Sequence, residues 1–211
     1  MFEARPFDDV CQTLAQRVRG LSTYSLLRFA AEDLYGGWDD GEGEWPIGSM
    51  WSVDGRLLYA VMRTLRPAVV IEIGTHAGCS ATHIGAALKA NGKGRLFTID
   101  VNPDAGALMA PEVGGYVTRV FADGIEWLRN PPIQPDIIFE DGWHAADDVA
   151  AIWQIALDVL SDDGLMISHD AAHWEAGERI RAGIHRAGVS DPLIVRPEPS
   201  DCGFAFWDRG M

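Results

Sequence analysis

Two short segments carry the residues best suited to chemistry in this chain. One reads Glu140-Asp141-Gly142-Trp143-His144, and the other His169-Asp170-Ala171-Ala172-His173. Each follows an apolar run, DIIFE at Asp136–Glu140 and LMIS at Leu165–Ser168. Such runs suit strands buried on both faces of a parallel sheet. The carboxyl ends of those strands open into one crevice, so Asp141 and Asp170 are expected to converge. Two facing carboxylates repel unless a proton or cation sits between them. A hard divalent cation such as Mg²⁺ takes oxygen ligands and keeps several waters, so two carboxylates make a partial shell. The plainer role for each aspartate is to cap the helix that follows. His144 is the first candidate for a general base, because imidazole titrates near neutral pH. His173 is the second.

A third segment supplies a ligand cradle. Residues Val69 to Asp100 read VVIEIGTHAGCSATHIGAALKANGKGRLFTID: a strand, a glycine turn, a helix and a second strand ending in a carboxylate. Gly74 and Gly78 lack a Cβ, which allows a sharp bend and close approach to a ligand. Asp100 can accept hydrogen bonds from both hydroxyls of a ribose. A dinucleotide turn needs G-x-G-x-x-G, yet the middle position here is His76, and no Lys or Arg lies between Val69 and Ala87. Glu72 beside the turn would repel a pyrophosphate and favour a cation. S-adenosylmethionine, with an ammonium, a sulfonium and no phosphate, fits these conditions.

The pattern Glu72-x-Gly74-x-x-x-Gly78 resembles motif I of the class I S-adenosylmethionine-dependent methyltransferases. That resemblance covers roughly residues 50 to 208 and implies a doubly wound, mostly parallel seven-stranded α/β sheet with a terminal antiparallel strand. It implies cofactor contacts from Glu72, Gly74, Thr75, Gly78, Ser80, Asp100, Asp123, Gly124 and Trp143, with Asp123 near the adenine; read alone, Asp123 could equally cap a helix. The Asp141–His144 element looks most like the metal-dependent small-molecule O-methyltransferases of the catechol and macrolide-sugar type. There the first aspartate binds metal and the histidine is the base, so Asp141 and His144 are the implied catalytic pair. The chain departs from both branches. Ala171 stands where the catechol branch has a ligating asparagine, and His169 stands where the sugar branch has an acidic residue. Imidazole is a poorer partner for Mg²⁺ than oxygen, which leaves the third ligand open between His169 and none.

The elements that must position these groups are legible in the pattern. Strands are expected at Val69–Ile73, Arg95–Asp100, Tyr116–Phe121, Asp136–Glu140, Leu165–Ser168, Leu193–Arg196 and Phe204–Trp207. The last two are joined by a Pro/Ser/Asp-rich connection that suggests a hairpin. Helical stripes run through Val53–Leu65, Val149–Leu160 and Glu175–Ala187. Residues 1–52 form an N-terminal extension, and 53–211 the cofactor-binding domain. The extension has two helices between Asp8 and Leu34, expected to pack on the domain; the sharper reading adds a cap over the substrate or a contact that pairs two chains as a homodimer. It continues into a Gly/Trp-rich loop, Gly36–Trp51, that would serve as a lid or an apolar wall through Trp38, Trp45 and Trp51.

Composition narrows the partners. With 17 basic and 31 acidic residues the net charge is −14, and Lys89 and Lys93 are the only lysines, so a nucleic-acid partner is disfavoured. No apolar run approaches the roughly 20 residues of a membrane span, and the N-terminus lacks signal-peptide character. Cys11, Cys79 and Cys202 form no C-x-x-C pair, against a disulfide framework or structural zinc. A cytoplasmic enzyme acting on a small hydroxylated molecule is the resulting expectation. The alternatives are a metal-free enzyme of the same fold, a non-catalytic cofactor-binding module and, should S-adenosylmethionine not bind, a nucleotide-dependent dehydrogenase.

Overall fold

A computed structural model describes residues 2–32 and 49–211. The order is α1 (Phe7–Arg17), α2 (Thr23–Ala30), α3 (Ser52–Leu65), β1 (Val69–Ile73), α4 (Cys79–Asn91), β2 (Arg95–Asp100), β3 (Val117–Phe121), α5 (Gly124–Leu128), β4 (Ile137–Glu140), α6 (Ala146–Val159), β5 (Leu165–His169), α7 (Ala176–Arg186), β6 (Leu193–Val195) and β7 (Phe204–Asp208). The strands form one sheet ordered β3-β2-β1-β4-β5-β7-β6. Strands β1 to β5 are parallel, and β7 runs antiparallel to both its neighbours. The chain leaves β1 toward β2 and β3, then returns to start β4 on its other side. That reversal makes the β1/β4 edge the switch point at which open α/β sheets bind ligands.

Alternation along the strands explains the layers. Val70, Ile137, Phe139, Leu165, Ile167, Phe204 and Phe206 face one way and pack with Leu14, Leu26, Leu57, Leu58 and Ile84 of α1 to α4. Ile71, Ile138, Met166 and Ala205 face the other way onto Leu128, Trp153, Ile152 and Ile180 of α5 to α7. Successive strand residues point to opposite faces, so continuous apolar runs bury both. Trp153 is fully buried on that second face, and its indole N–H donates to Ser168 Oγ at 2.9 Å. This contact ties α6 to the end of β5.

Two features bring groups to the carboxyl end of the sheet. Helix α3 runs back along β1, so its first turn, with Asp54, lies where the strands end. Gly55 leaves room for the His83 ring, since a Cβ there would lie 2.6 Å from its Nε2; α3 therefore packs close on α4. The β6–β7 connection also returns to this end. Ser22 caps α2 by accepting from the Ser25 amide at 3.2 Å. The Gly36–Trp51 loop reading, with Trp38 and Trp45, falls largely outside the described residues. No helix among the described residues is long and apolar enough to cross a membrane.

Candidate active site

The carboxyl ends of β1, β2, β4 and β5 surround a cleft of about 520 Å³, within the usual size of small-molecule sites, roughly 300–1,000 Å³. Gly74, Thr75, Ser80, Asp100, Asp123, Gly124, Asp141, Trp143, His144 and Asp170 all line it. Trp143, 86% exposed, stands on its rim.

The glycine turn is organised by Asp100. Its Oδ2 accepts the Thr75 and His76 amides at 3.0 Å each, and its Oδ1 accepts the Asn102 amide at 2.8 Å. The carboxylate therefore shapes the turn in addition to facing the cleft. Asp123 acts as the helix cap, its Oδ1 accepting the Glu126 amide at 2.9 Å at the start of α5, and the residue also lines the cleft.

Four placements differ from the expectation. Gly74 (φ +98°) makes its close approach to protein, because a Cβ there would fall 2.1 Å from the Asp141 carbonyl oxygen. Gly78 (φ +96°) similarly meets Met109 and Gly106 and starts α4, away from the cleft wall. Glu72 lies beneath the turn, 0% exposed, and neither carboxylate oxygen has a hydrogen bond. Burial pushes its carboxyl up to about 8, tempered by the nearby Ser80 and Thr98 hydroxyls and reinforced by Asp141 and Asp100. At neutral pH Glu72 is thus largely protonated, and its charge offers no attraction to a cationic ligand. His173 is also displaced from its role as second base. Its Nδ1 accepts the Glu175 and Ala176 amides at 3.3 and 3.2 Å, which ties the ring to the start of α7.

Asp141 and Asp170 do converge, with the two histidines between and beside them. His169 Nδ1 lies 3.2 Å from Asp141 Oδ1 and 3.7 Å from Asp170 Oδ1. On its other side, Nε2 lies 3.1 Å from Oδ2 of the fully buried Asp54. His144 Nε2 is 3.0 Å from Asp170 Oδ2, and its Nδ1 is 3.7 Å from Oε1 of buried Glu140. Asp170 adopts φ +57°, a backbone conformation uncommon outside glycine and typical of functional sites.

The charges shift one another strongly. Burial alone would lower the His144 pKa, but the contact with Asp170 and the neighbouring Glu140 carboxylate outweigh it and carry the ring up to about 10. His169 likewise rises well above its ordinary value, because Asp141 and Asp170 override burial. Burial would raise Asp170, yet the His169 and His144 charges hold it well below the usual carboxylate range. Burial raises Asp54, with the His169 hydrogen bond opposing. Four carboxylates, from Asp54, Glu140, Asp141 and Asp170, thus face two imidazoles.

These residues fit a divalent cation. One donor atom each from Asp141, His169 and Asp170 lies within 4.8 Å of the others. Asp170 Oδ1 is buried without a hydrogen bond. Asp54, Glu140 and Ser200 were not expected here. Asp54 resembles any acidic residue in a helix's first turn, and its link to His169 spans 115 positions. Glu140 was visible as a strand-end carboxylate, and its proximity to Asp141 was the available signal.

Comparison with known proteins agrees with the fold. Residues 71–171 match the family model described as a methyltransferase domain. Mouse catechol O-methyltransferase is 34% identical over 67 residues, 32% of this chain and 24% of that enzyme, so the match spans about a quarter of the curated relative. The O-methyltransferase TomG of Streptomyces achromogenes, involved in tomaymycin synthesis and solved with S-adenosylmethionine, superposes with a TM-score of 0.62 at 20% identity, covering 98% of each chain. An O-methyltransferase of Bacillus cereus, solved with S-adenosylhomocysteine, gives 0.63 at 14% identity over 94% of this chain and 96% of that one. The seven-stranded sheet with its antiparallel β7 is that of the class I methyltransferases. The fold is thus that of the class I methyltransferases, a methyltransferase-domain model matches residues 71–171, and O-methyltransferases stand among the structural neighbours.

Proposed function

We propose that the protein transfers the methyl group of S-adenosylmethionine to a hydroxyl oxygen of a small molecule, beside a divalent cation held by Asp141 and Asp170. The observation that carries this reading is the convergence of Asp141, Asp170 and His144 in the same cleft that Asp100 and the glycine turn line. Asp100 receives the ribose hydroxyls on the lone pairs its amide bonds leave open, and Asp123 Oδ2 is left for the adenine amino group. In the transfer, the acceptor oxygen attacks the methyl carbon, the carbon–sulfur bond breaks, and neutral S-adenosylhomocysteine leaves. A cation bound to the acceptor hydroxyl would lower its pKa and fix its position; two carboxylates and water suffice for Mg²⁺. His144 takes the hydroxyl proton at Nε2, the ring nitrogen nearest the cation ligands. The two carboxylates beside His144 keep it protonated, so it serves as a base only where Asp170 is otherwise neutralised. Trp143 offers an apolar wall at the rim for a ring-bearing acceptor.

A second reading keeps the transfer and omits the metal. It is favoured by the ion pairs themselves, because the His144 and His169 imidazoliums already neutralise Asp170 and Asp141. Calorimetric titration with S-adenosylmethionine tests the shared part of both readings. The wild-type chain should bind, and Asp100→Ala should weaken binding by about 1–3 kcal/mol, the cost of leaving polar groups unpaired. Equal affinity in the two proteins would remove Asp100 from the cofactor site.

A further inference from the structure

We infer that the cation site is built for a borderline divalent transition metal such as Co²⁺, Fe²⁺ or Zn²⁺ in preference to Mg²⁺, with His169 Nδ1 as its third protein ligand and Asp54 as the positioning residue behind that ring. The inference rests on the reading of Asp141 and Asp170 as cation ligands, and it assigns the metal class and the tautomer that the reading leaves open.

The argument begins at the β6–β7 connection. The Cys202 amide donates to Ser200 Oγ at 3.0 Å, which turns the Ser200 hydroxyl proton toward Asp54 Oδ2 at 2.6 Å. Asp54 Oδ2 then accepts from His169 Nε2 at 3.1 Å. The direction is set by Asp54, whose ionised carboxylate can only accept, from the Ser200 hydroxyl and from the His169 ring N–H alike. Nε2 therefore holds the proton, and the lone pair of neutral His169 lies on Nδ1. That atom faces Asp141 Oδ1 at 3.2 Å and Asp170 Oδ1 at 3.7 Å. In the imidazolium a proton on Nδ1 sits among these groups; in neutral His169 all three are acceptors aimed at one point, and a cation takes the proton's place.

The spacing suits a metal. Donors about 2.0–2.2 Å from a four- or six-coordinate ion lie roughly 3–3.5 Å apart, close to the separations already present. The ring is buried, with Phe204 and Phe139 centroids 5.0 and 6.4 Å away, so Nδ1 is held in place. Imidazole suits Zn, Fe and Ni, whereas Mg²⁺ favours carboxylate, carbonyl and water oxygen. A carboxylate behind a ligating histidine is the usual device for fixing its tautomer and raising its basicity. The buried Asp54 carboxylate in the first turn of α3 has that place here.

Two measurements on the full chain test this. In the first, a two-bond ¹H–¹⁵N spectrum of the wild-type protein is recorded before and after addition of Zn²⁺. Nδ1 of His169 should move to the shift of a metal-bound nitrogen while Nε2 keeps its proton. In the second, calorimetry with CoCl₂ and MgCl₂ compares wild type with His169→Asp and Asp54→Asn. The preference for Co²⁺ over Mg²⁺ should fall at least tenfold in His169→Asp, and Asp54→Asn should weaken Co²⁺ binding by about 10–100-fold. An unmoved Nδ1 resonance overturns the inference even if a variant fails to fold, as does an unchanged preference in a folded His169→Asp. Nitrogen-bound metal without methyl transfer would refute the proposed reaction and leave this site standing. Methyl transfer supported by Mg²⁺ with a silent Nδ1 would do the reverse.

Discussion

Gly74 and Asp141 meet backbone to backbone at the head of the cleft: a Cβ on Gly74 would stand 2.1 Å from the Asp141 carbonyl oxygen and 3.0 Å from Gly142 Cα. The first turn after β1 and the first residue after β4 are therefore fitted to one another. This backbone contact joins the candidate cofactor turn to a candidate cation ligand.

Substituting that glycine tests the coupling. Gly74→Ala strains a +98° φ and forces Asp141 outward; overpacking of this kind typically costs about 1–3 kcal/mol. Both S-adenosylmethionine affinity and divalent-cation affinity should fall together in calorimetry. A variant that loses cofactor binding alone would show that the contact carries no coupling.

Glu72 provides a test by stability. Its ordinary value is 4.5 and burial pushes it to about 8. Between those pH values the unfolded chain ionises Glu72 while the folded chain holds the proton, so stability falls as pH rises through that window. Glu72→Gln keeps the shape and removes the ionisation. Its Tm advantage over wild type should be small at pH 4.5 and grow toward pH 8, at about 2–4 °C per kcal/mol for a chain of this size. Parallel Tm curves across that range would place Glu72 in a solvated or well-paired environment.

The sheet was readable because its strands are short apolar runs bounded by glycine and charge. β1 and β2 fall at the predicted residues, and the remaining strand boundaries shift by a residue or so at one end. Asp141, Asp170 and His144 were readable because each leaves a strand at the sheet's carboxyl end. What the sequence concealed is pairing across distance. Asp54 meets Ser200 across 146 positions, and no local pattern marks either. The reason for Gly74 was hidden in the same way, because its close neighbour is on β4's end and was not visible along β1. The expected charge of Glu72 failed for a different reason: full burial without a hydrogen bond reverses which form is stable.

His144 is tested by kinetics. A general base contributes about 10²–10⁴-fold, so His144→Ala should lower kcat by that order and leave S-adenosylmethionine affinity largely intact. Raising the pH should partly restore the variant, since more acceptor then ionises unaided. Wild-type kcat with an unaltered pH profile would move the proton to Asp141 or to solvent, as His173 is tied to the start of α7.

The central claim is oxygen methylation at a cation held by Asp141 and Asp170. The most direct measurement follows labelled methyl from S-adenosylmethionine into a panel of catechols and sugar diols, with wild type and Asp170→Ala, before and after chelation. The account predicts an O-methyl product from wild type that EDTA abolishes and added divalent cation restores, with Asp170→Ala inactive under all conditions. Full transfer by Asp170→Ala in EDTA would contradict it.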